Sequence, residues 1–305
     1  MISGKRPRAI LIVNPYAGRL TDTERDNVVD ALQARFDLDV HETTARDVAM
    51  QITEAAVTSG AELVIAFGGD GHVNEVANGL AGTDATLGII PGGTMNVFAR
   101  ALGIPVDPFA AIESLMLRIG APARRVSLGL MDDRYFTFSA GCGFDAEAAA
   151  RVERDIPRKR RFGEIFFYWS AFRVLATSYR HRDAVMTVKG SFGEERVAMA
   201  IGCNAGPYAY LRGRPIELAP NVRLQGRIDL FAMRTMRIEA LPIYAWRCLV
   251  SGNLVRHRDV FYRSDLDAYE VVGEAPFARH VDGEPLAEAT SARFSIEPDV
   301  LKVFA

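Results

Sequence analysis

The stretch Gly68-Gly-Asp-Gly-His-Val-Asn74 sets three glycines around one carboxylate and places a histidine just behind them. Two other stretches have the same character: Asn14-Pro-Tyr-Ala-Gly18 and Pro91-Gly-Gly-Thr-Met-Asn96. Glycine lets backbone N–H groups come close to an anion and tolerates positive φ. Each stretch follows a short apolar run. Helix-like patterns follow the stretches at Gly68 and Pro91, and a helix start adds N–H donors and the positive end of a dipole. The chemistry this suits is the binding of a triphosphate. Asp70 would repel phosphate by itself, so it is expected to hold Mg2+ or a nucleotide hydroxyl. One such loop would pass for a tight turn, whereas three at successive strand ends point to a ligand. The chain has no GxxxxGK[ST], and no GxGxxG follows its first apolar run, so neither a P-loop nor a Rossmann cofactor site is expected.

These loops need a scaffold that brings strand ends together. Residues 9–13, 38–43, 63–67 and 87–90 are apolar or β-branched runs and read as strands of a parallel sheet. Between them lie helical signals. Thr21 and Glu24 form a capping box ahead of Val28, Leu32 and Phe36 at helical spacing, and residues 44–59 end at Gly60. Residues 73–80 and 96–102 read as helices, and Asp107-Pro108 opens another. Alternation of this kind predicts a doubly wound α/β domain over residues 1–122. Past residue 121 the pattern changes to short strands and hairpin turns, the first at Asp132-Asp133. A mostly antiparallel β domain over 123–305 is expected, with helical insertions near 160–180 and 238–251 and a last strand returning to the first domain.

Composition narrows the field. The 305 residues are 49% hydrophobic and 24% charged, as in an ordinary globular protein with a core. A net charge of −2 gives no general drive toward nucleic acid. The cysteines, Cys142, Cys203 and Cys248, are far apart and suit a reducing compartment. No run approaches the roughly 20 apolar residues of a membrane helix, and the five before Asn14 are too few for a signal segment. A cytoplasmic place is expected, with peripheral contact at the inner face of the membrane. For that contact Arg158-Lys-Arg-Arg161, followed by Phe162 and Ile165-Phe-Phe-Tyr-Trp169, is the candidate. His41, His181, His257 and His280 lack partners at metal or triad spacing and read as ordinary.

At this point the motifs can be taken together. NPYAG resembles the NPxSG of the diacylglycerol kinase catalytic family, which includes bacterial lipid kinases related to sphingosine and ceramide kinases. GGDGHVNEVANGL resembles its GGDGTxNEVxNGL, and IIPGGTMNVFARALGIP its PxGTxNDFAxxLGIP. Downstream, GCGFDA (from Gly141), LAPNVRLQGRIDL (from Leu218) and VDGE (from Val281) match in order. The resemblance spans nearly the whole chain and implies a fold like that of NAD and diacylglycerol kinases. It implies ATP and Mg2+ as cofactors, and phosphoryl transfer to a hydroxyl of diacylglycerol or a similar lipid at a membrane surface. Other acceptors are a sphingoid base, a monoacylglycerol, or an isoprenoid or glycolipid alcohol; a binder without activity is the remaining alternative. Carried over, Asn14, Pro15 and Gly18 line the phosphates, and Thr43 contacts the nucleotide. Gly68, Gly69, Asp70, Gly71, His72, Asn74, Gly92, Thr94 and Asn96 complete the cradle. Glu284, with Asp282 beside it, takes the proton of the lipid hydroxyl, and Asp70 acts with the metal. A homodimer is kept open as the one protein partner.

Three positions depart from the pattern: Ala17 for serine, His72 for threonine and Gln225 for aspartate. His72 either donates to phosphate, titrating near neutral pH, or faces solvent. A neutral amide at Gln225 is a poor ligand for a hard dication, and Arg227 adds repulsion, so a second, structural Mg2+ site near Gln225 is not expected.

Overall fold

The fold is described from a computed structural model, over residues 6–16, 21–153, 173, 185–211 and 213–305. It divides into two compact units. The first comprises Met1–Val126 with Asp299–Ala305, the second Ser127–Pro298.

The first unit is built on a parallel sheet. Its strands are β1 (Arg8–Val13), β2 (Asp37–Glu42), β3 (Leu63–Gly68) and β4 (Thr86–Pro91), in the order β2-β1-β3-β4. Helices α1 (Asp22–Gln33), α2 (Val48–Thr58), α3 (Asp70–Leu80), α4 (Val97–Ala101) and α5 (Pro108–Arg118) alternate with them. Every residue of β3 and β4 is buried, which is why both read as unbroken apolar runs. β2 lies at the edge and is half-exposed, so it carries Asp37, Asp39 and Glu42 along its length. The capping box of α1 is present: Glu24 N donates to Thr21 Oγ1 (3.2 Å) and Thr21 N to Glu24 Oε2 (2.8 Å). Asp107 caps α5 by accepting from Ala110 N at 2.8 Å. A fifth parallel strand segment comes from the far end of the chain, where Lys302 and Val303 pair with Thr86 and Leu87.

The second unit is antiparallel. Its strands are β5 (Arg124–Met131), β6 (Arg134–Phe136), β7 (Ser139–Gly143), β8 (Met186–Gly190), β9 (Gly193–Val197), β10 (Met199–Cys203) and β13 (Ile228–Met233). β14 (Val260–Leu266), β15 (Ala268–Val281) and β16 (Glu284–Val303) follow, and β11 (Ala209–Leu211) with β12 (Arg214–Ile216) forms a small ribbon. Pairing runs β14-β13-β10-β7-β15-β16, with β8 also on β15. Phe294 sits at the centre of the core, with Tyr269 stacked at 4.6 Å and Phe136 edge-on at 6.3 Å. Two helices are described: α6 (Phe144–Glu153) and α7 (Leu241–Leu249).

The expected fold class is therefore observed. Three details differ. Helix α6 is not signalled by periodicity, because eight of its ten residues are alanine or charged and it follows β7 without a turn. The short strands expected at 269–272 and 279–281 are one long strand, β15, with register shifts between Val272 and Phe277 and between Phe277 and Arg279. Each shift bends the strand and hides its continuity in the pattern. The helix expected at 44–59 begins only at Val48, after Asp47 in the left-handed region (φ 62°). The insertion expected near 160–180, apart from residue 173, and with it the basic-aromatic run from Arg158 to Trp169, lies outside the described residues, as do Ala17 and Gly18.

Candidate active site

In the first unit all three glycine loops emerge from carboxyl ends of parallel strands, where open α/β sheets bind ligands. They are tied to one another through backbone. Asn14 N donates to Phe67 O (3.0 Å) and Gly92 N to Gly68 O (2.8 Å). Gly69 and Gly93 meet backbone to backbone: a Cβ on Gly93 would lie 2.5 Å from Gly69 Cα and 2.8 Å from Asn96 Oδ1. No side chain fits there. The contact explains why both loops are glycine-rich, quite apart from any ligand. Asn96 holds the third loop closed, with Oδ1 accepting from Gly93 N (3.0 Å) and Nδ2 donating to Gly93 O (2.9 Å), at a left-handed φ of 48°. Asp70 stands in the first turn of α3 and accepts from Phe98 N at 3.3 Å, so it also braces the start of α4.

Several candidate side chains are thereby committed inside the fold. His72 is buried, its Nε2 is 2.9 Å from Ile12 O, and burial lowers its pKa to about 4. It neither faces solvent nor offers its ring to phosphate; both expectations for it are corrected. Its ring packs on Gly68, where a Cβ would come within 2.7 Å of Cδ2. Thr43 is buried with its hydroxyl on Val13 O (3.4 Å), and Asn74 is buried with Oδ1 accepting from Asn78 Nδ2 (3.1 Å). The side chains of Thr43, Asn74 and Asn96 therefore shape the loops from within. Asn14, Pro15, Gly69, Asp70, Gly71 and Thr94 remain partly exposed at the loop tips. Together these tips offer amide donors, one hydroxyl and one carboxylate.

Among the described residues no three His, Cys, Asp or Glu gather as a cation site. Asp70 by itself suits Mg2+ that arrives with phosphate oxygens, since Mg2+ is commonly held by one or two carboxylates plus substrate phosphates. The region of Gln225 does not suit a second ion. Arg227 Nε is 2.8 Å from Asp267 Oδ1, while the Asp229 carboxylate accepts from Tyr262 Oη and from Asp265 N (3.0 Å). The carboxylates there already have partners, and a guanidinium stands among them.

In the second unit the VDGE segment forms the tight turn between β15 and β16. Asp282 and Gly283 both have positive φ, 49° and 83°. The Asp282 carboxylate is buried and accepts four bonds: Oδ2 from Thr137 N and Oγ1 (2.7 Å each), Oδ1 from Phe138 N and Ser139 N (3.0 Å each). Burial pushes its pKa above the ordinary carboxylate value while those donors pull it back. A carboxylate so enclosed fixes the turn; it is not placed to take a proton from a substrate, which corrects its expected catalytic role. Glu284, next along, is partly exposed.

Behind the turn lies a pair that sequence reasoning missed. His280 is buried, with Nε2 2.5 Å from Asp145 Oδ2, while its Nδ1 accepts from Gly283 N at 3.2 Å. Tyr208 Oη donates to the other Asp145 oxygen at 2.5 Å. The bond from Gly283 makes Nδ1 the acceptor and Nε2 the protonated nitrogen. Gly141 makes the room: a Cβ there would fall 2.4 Å from His280 Nε2. His280 is thus not an ordinary histidine. The signal was present in GCGFDA, where Gly141 and Asp145 stand four apart, but pairing with His280 is a matter of tertiary structure.

Against this geometry, comparison with known proteins is informative. Residues 8–129 match the diacylglycerol kinase catalytic domain, and 139–305 the YegS C-terminal NAD kinase beta sandwich-like domain. The diacylglycerol kinase of Bacillus subtilis is 35% identical over 176 residues, 55% of either chain. A Pseudomonas aeruginosa protein named "Probable lipid kinase YegS-like" is 31% identical over 279 residues, covering 89% of this chain and 85% of that one. A crystal structure of a diacylglycerol kinase from Bacillus anthracis superposes with a TM-score of 0.75 at 26% identity, over 99% of this chain and 98% of that one. Fold and motif order thus define a lipid kinase. The chain belongs to the diacylglycerol kinase catalytic family, among its YegS-like members. Membership in a kinase family implies ATP as phosphoryl donor.

Proposed function

We propose that the protein transfers the γ-phosphoryl group of Mg·ATP to a hydroxyl of diacylglycerol or a closely similar lipid. The observation that carries this reading is the pair of loops joined at Gly69 and Gly93, which keeps Asp70 and neighbouring amides at strand ends. Asn14, Gly69, Gly71 and Thr94 hold the phosphates, and Asp70 is the protein ligand of Mg2+, which neutralises charge on the phosphoryl oxygens. Glu284 accepts the proton of the lipid hydroxyl as its oxygen bonds to the γ-phosphorus. The bond from that phosphorus to the β–γ bridging oxygen breaks, and ADP leaves.

Diacylglycerol is the first acceptor to test because a relative of 35% identity bears that name. Relatives matched over nearly the full chain are named only as lipid kinases, so other lipid alcohols belong in the same assay. Labelled Mg·ATP is incubated with a total lipid extract in mixed micelles, and labelled products are separated. Labelled phosphatidic acid is expected. Label in a different lipid replaces the acceptor, and no labelled lipid from a preparation that still binds ATP overturns the reading.

A further inference from the structure

Helix α7 and its C-cap residue, Val250, carry an apolar face that nothing among the described residues covers. Ile243, Trp246 and Val250 are 41%, 54% and 70% exposed. At 100° per residue they lie within an arc of about 60°. The helix is not a loose appendage. On its inner side Tyr244 is buried, and its Oη donates to Asp259 Oδ2 at 2.7 Å, the same oxygen that Arg237 Nη2 reaches at 2.7 Å. At its C-terminal end Arg247 Nη1 donates to Asn253 Oδ1 at 3.1 Å. The apolar face is therefore held outward by a buried anchor.

Charge says what it meets. Residues 241–258 contain Arg247, Arg256 and Arg258 and no acidic residue, in a chain whose net charge is −2. The Arg258 side chain is 76% exposed, with its Nε 3.6 Å from Asp259 Oδ1, and Arg256 is exposed. A tryptophan with aliphatic neighbours on an anchored helix, in a stretch whose only charges are arginines, is the composition of an interfacial anchor for an anionic bilayer. A second copy of the same stretch carries the same positive charge, so like charge disfavours self-pairing.

We propose that α7 is a membrane-docking surface, seating Ile243, Trp246 and Val250 at the headgroup boundary of an anionic bilayer while Arg256 and Arg258 meet lipid phosphates. It deepens the lipid-kinase reading by supplying a way to reach a bilayer-embedded acceptor, and its test does not depend on turnover. Vesicles of phosphatidylcholine with and without phosphatidylglycerol are sedimented with the protein. Binding to the anionic vesicles only, weakened by salt, is expected, and Trp246→Ala should weaken it at least about tenfold, since burying one large apolar side chain is worth roughly 1.5–3 kcal/mol. Arg256→Glu with Arg258→Glu should lower it similarly, and serves if Trp246→Ala does not fold. In a Trp169→Phe background, emission from Trp246 should shift to the blue on vesicles. Wild-type protein that ignores anionic vesicles, variants that bind undiminished, or a concentration-dependent dimer abolished by Trp246→Ala would each overturn docking. Trp246→Ala should still turn over a short-chain diglyceride in solution. Wild type that binds vesicles yet phosphorylates no lipid would instead count against the lipid-kinase reading and leave docking standing.

Discussion

At the scale of single residues, the most informative side chains are those that turned inward. His72 stands in a motif that invites a phosphate contact, yet burial holds its pKa at about 4 against 6.5 in solution. The neutral ring is favoured in the fold and the unfolded chain takes up the proton first. Stability is therefore fully present above pH 6.5 and is lost as pH falls toward 4, by about 3 kcal/mol on this account. Urea unfolding at pH 7 and pH 5 should show this loss, and His72→Gln should flatten it while lowering stability at pH 7. Asp282 and Glu284 divide the work that their adjacency suggested they share. Asp282→Asn replaces one acceptor oxygen by an NH2 group, which leaves two of the four donors without it, and should cost about 3 kcal/mol of stability. Glu284→Gln should leave unfolding unchanged and lower kcat by roughly 10²–10⁴. If Asp282→Asn instead kept full stability and lost turnover, the roles would be reversed.

At the scale of elements, the decisive feature is the close meeting of the β3–α3 and β4–α4 loops. Each loop is short, and each would be an unremarkable turn alone. Their joint geometry depends on Gly93, where an alanine Cβ would collide with Gly69 backbone and with the Asn96 amide. Backbone cannot yield as a flexible side chain can, so Gly93→Ala should pry the loops apart and weaken ATP binding at least about tenfold, measured by calorimetry. Gly82→Ala is the control. It has positive φ (76°) but meets nothing within 4 Å, so it should cost only the strain of roughly 1 kcal/mol and leave ATP affinity intact.

For the whole molecule, the ion question turns on residues far apart in sequence. Gln225 suggests a missing metal ligand; Arg227 pairs with Asp267, and Tyr262 donates to Asp229, so the carboxylates there already have partners. Thermal stability should consequently be insensitive to Mg2+ in the absence of ATP. Restoring Gln225→Asp should not change that, because Arg227 remains. A rise in melting temperature with Mg2+ in Gln225→Asp would show a site merely vacant.

Sequence patterns by themselves determined the parallel sheet, the antiparallel second unit and the location of the loops. Those features follow from burial and turn chemistry, which act over neighbours: β3 is buried on both faces and reads as LVIAFG, and the loops need glycine wherever they fall. Motif order further determined the family. Tertiary structure decided which side chains face a ligand. His72 meets Ile12, Asp282 meets Thr137, and His280 meets Asp145, over separations of 60, 145 and 135 residues. A polar side chain can be a ligand contact or a buried strut with the same spacing in the sequence. Only its position relative to distant backbone donors and acceptors separates the two, because a buried polar group must find partners wherever the fold brings them.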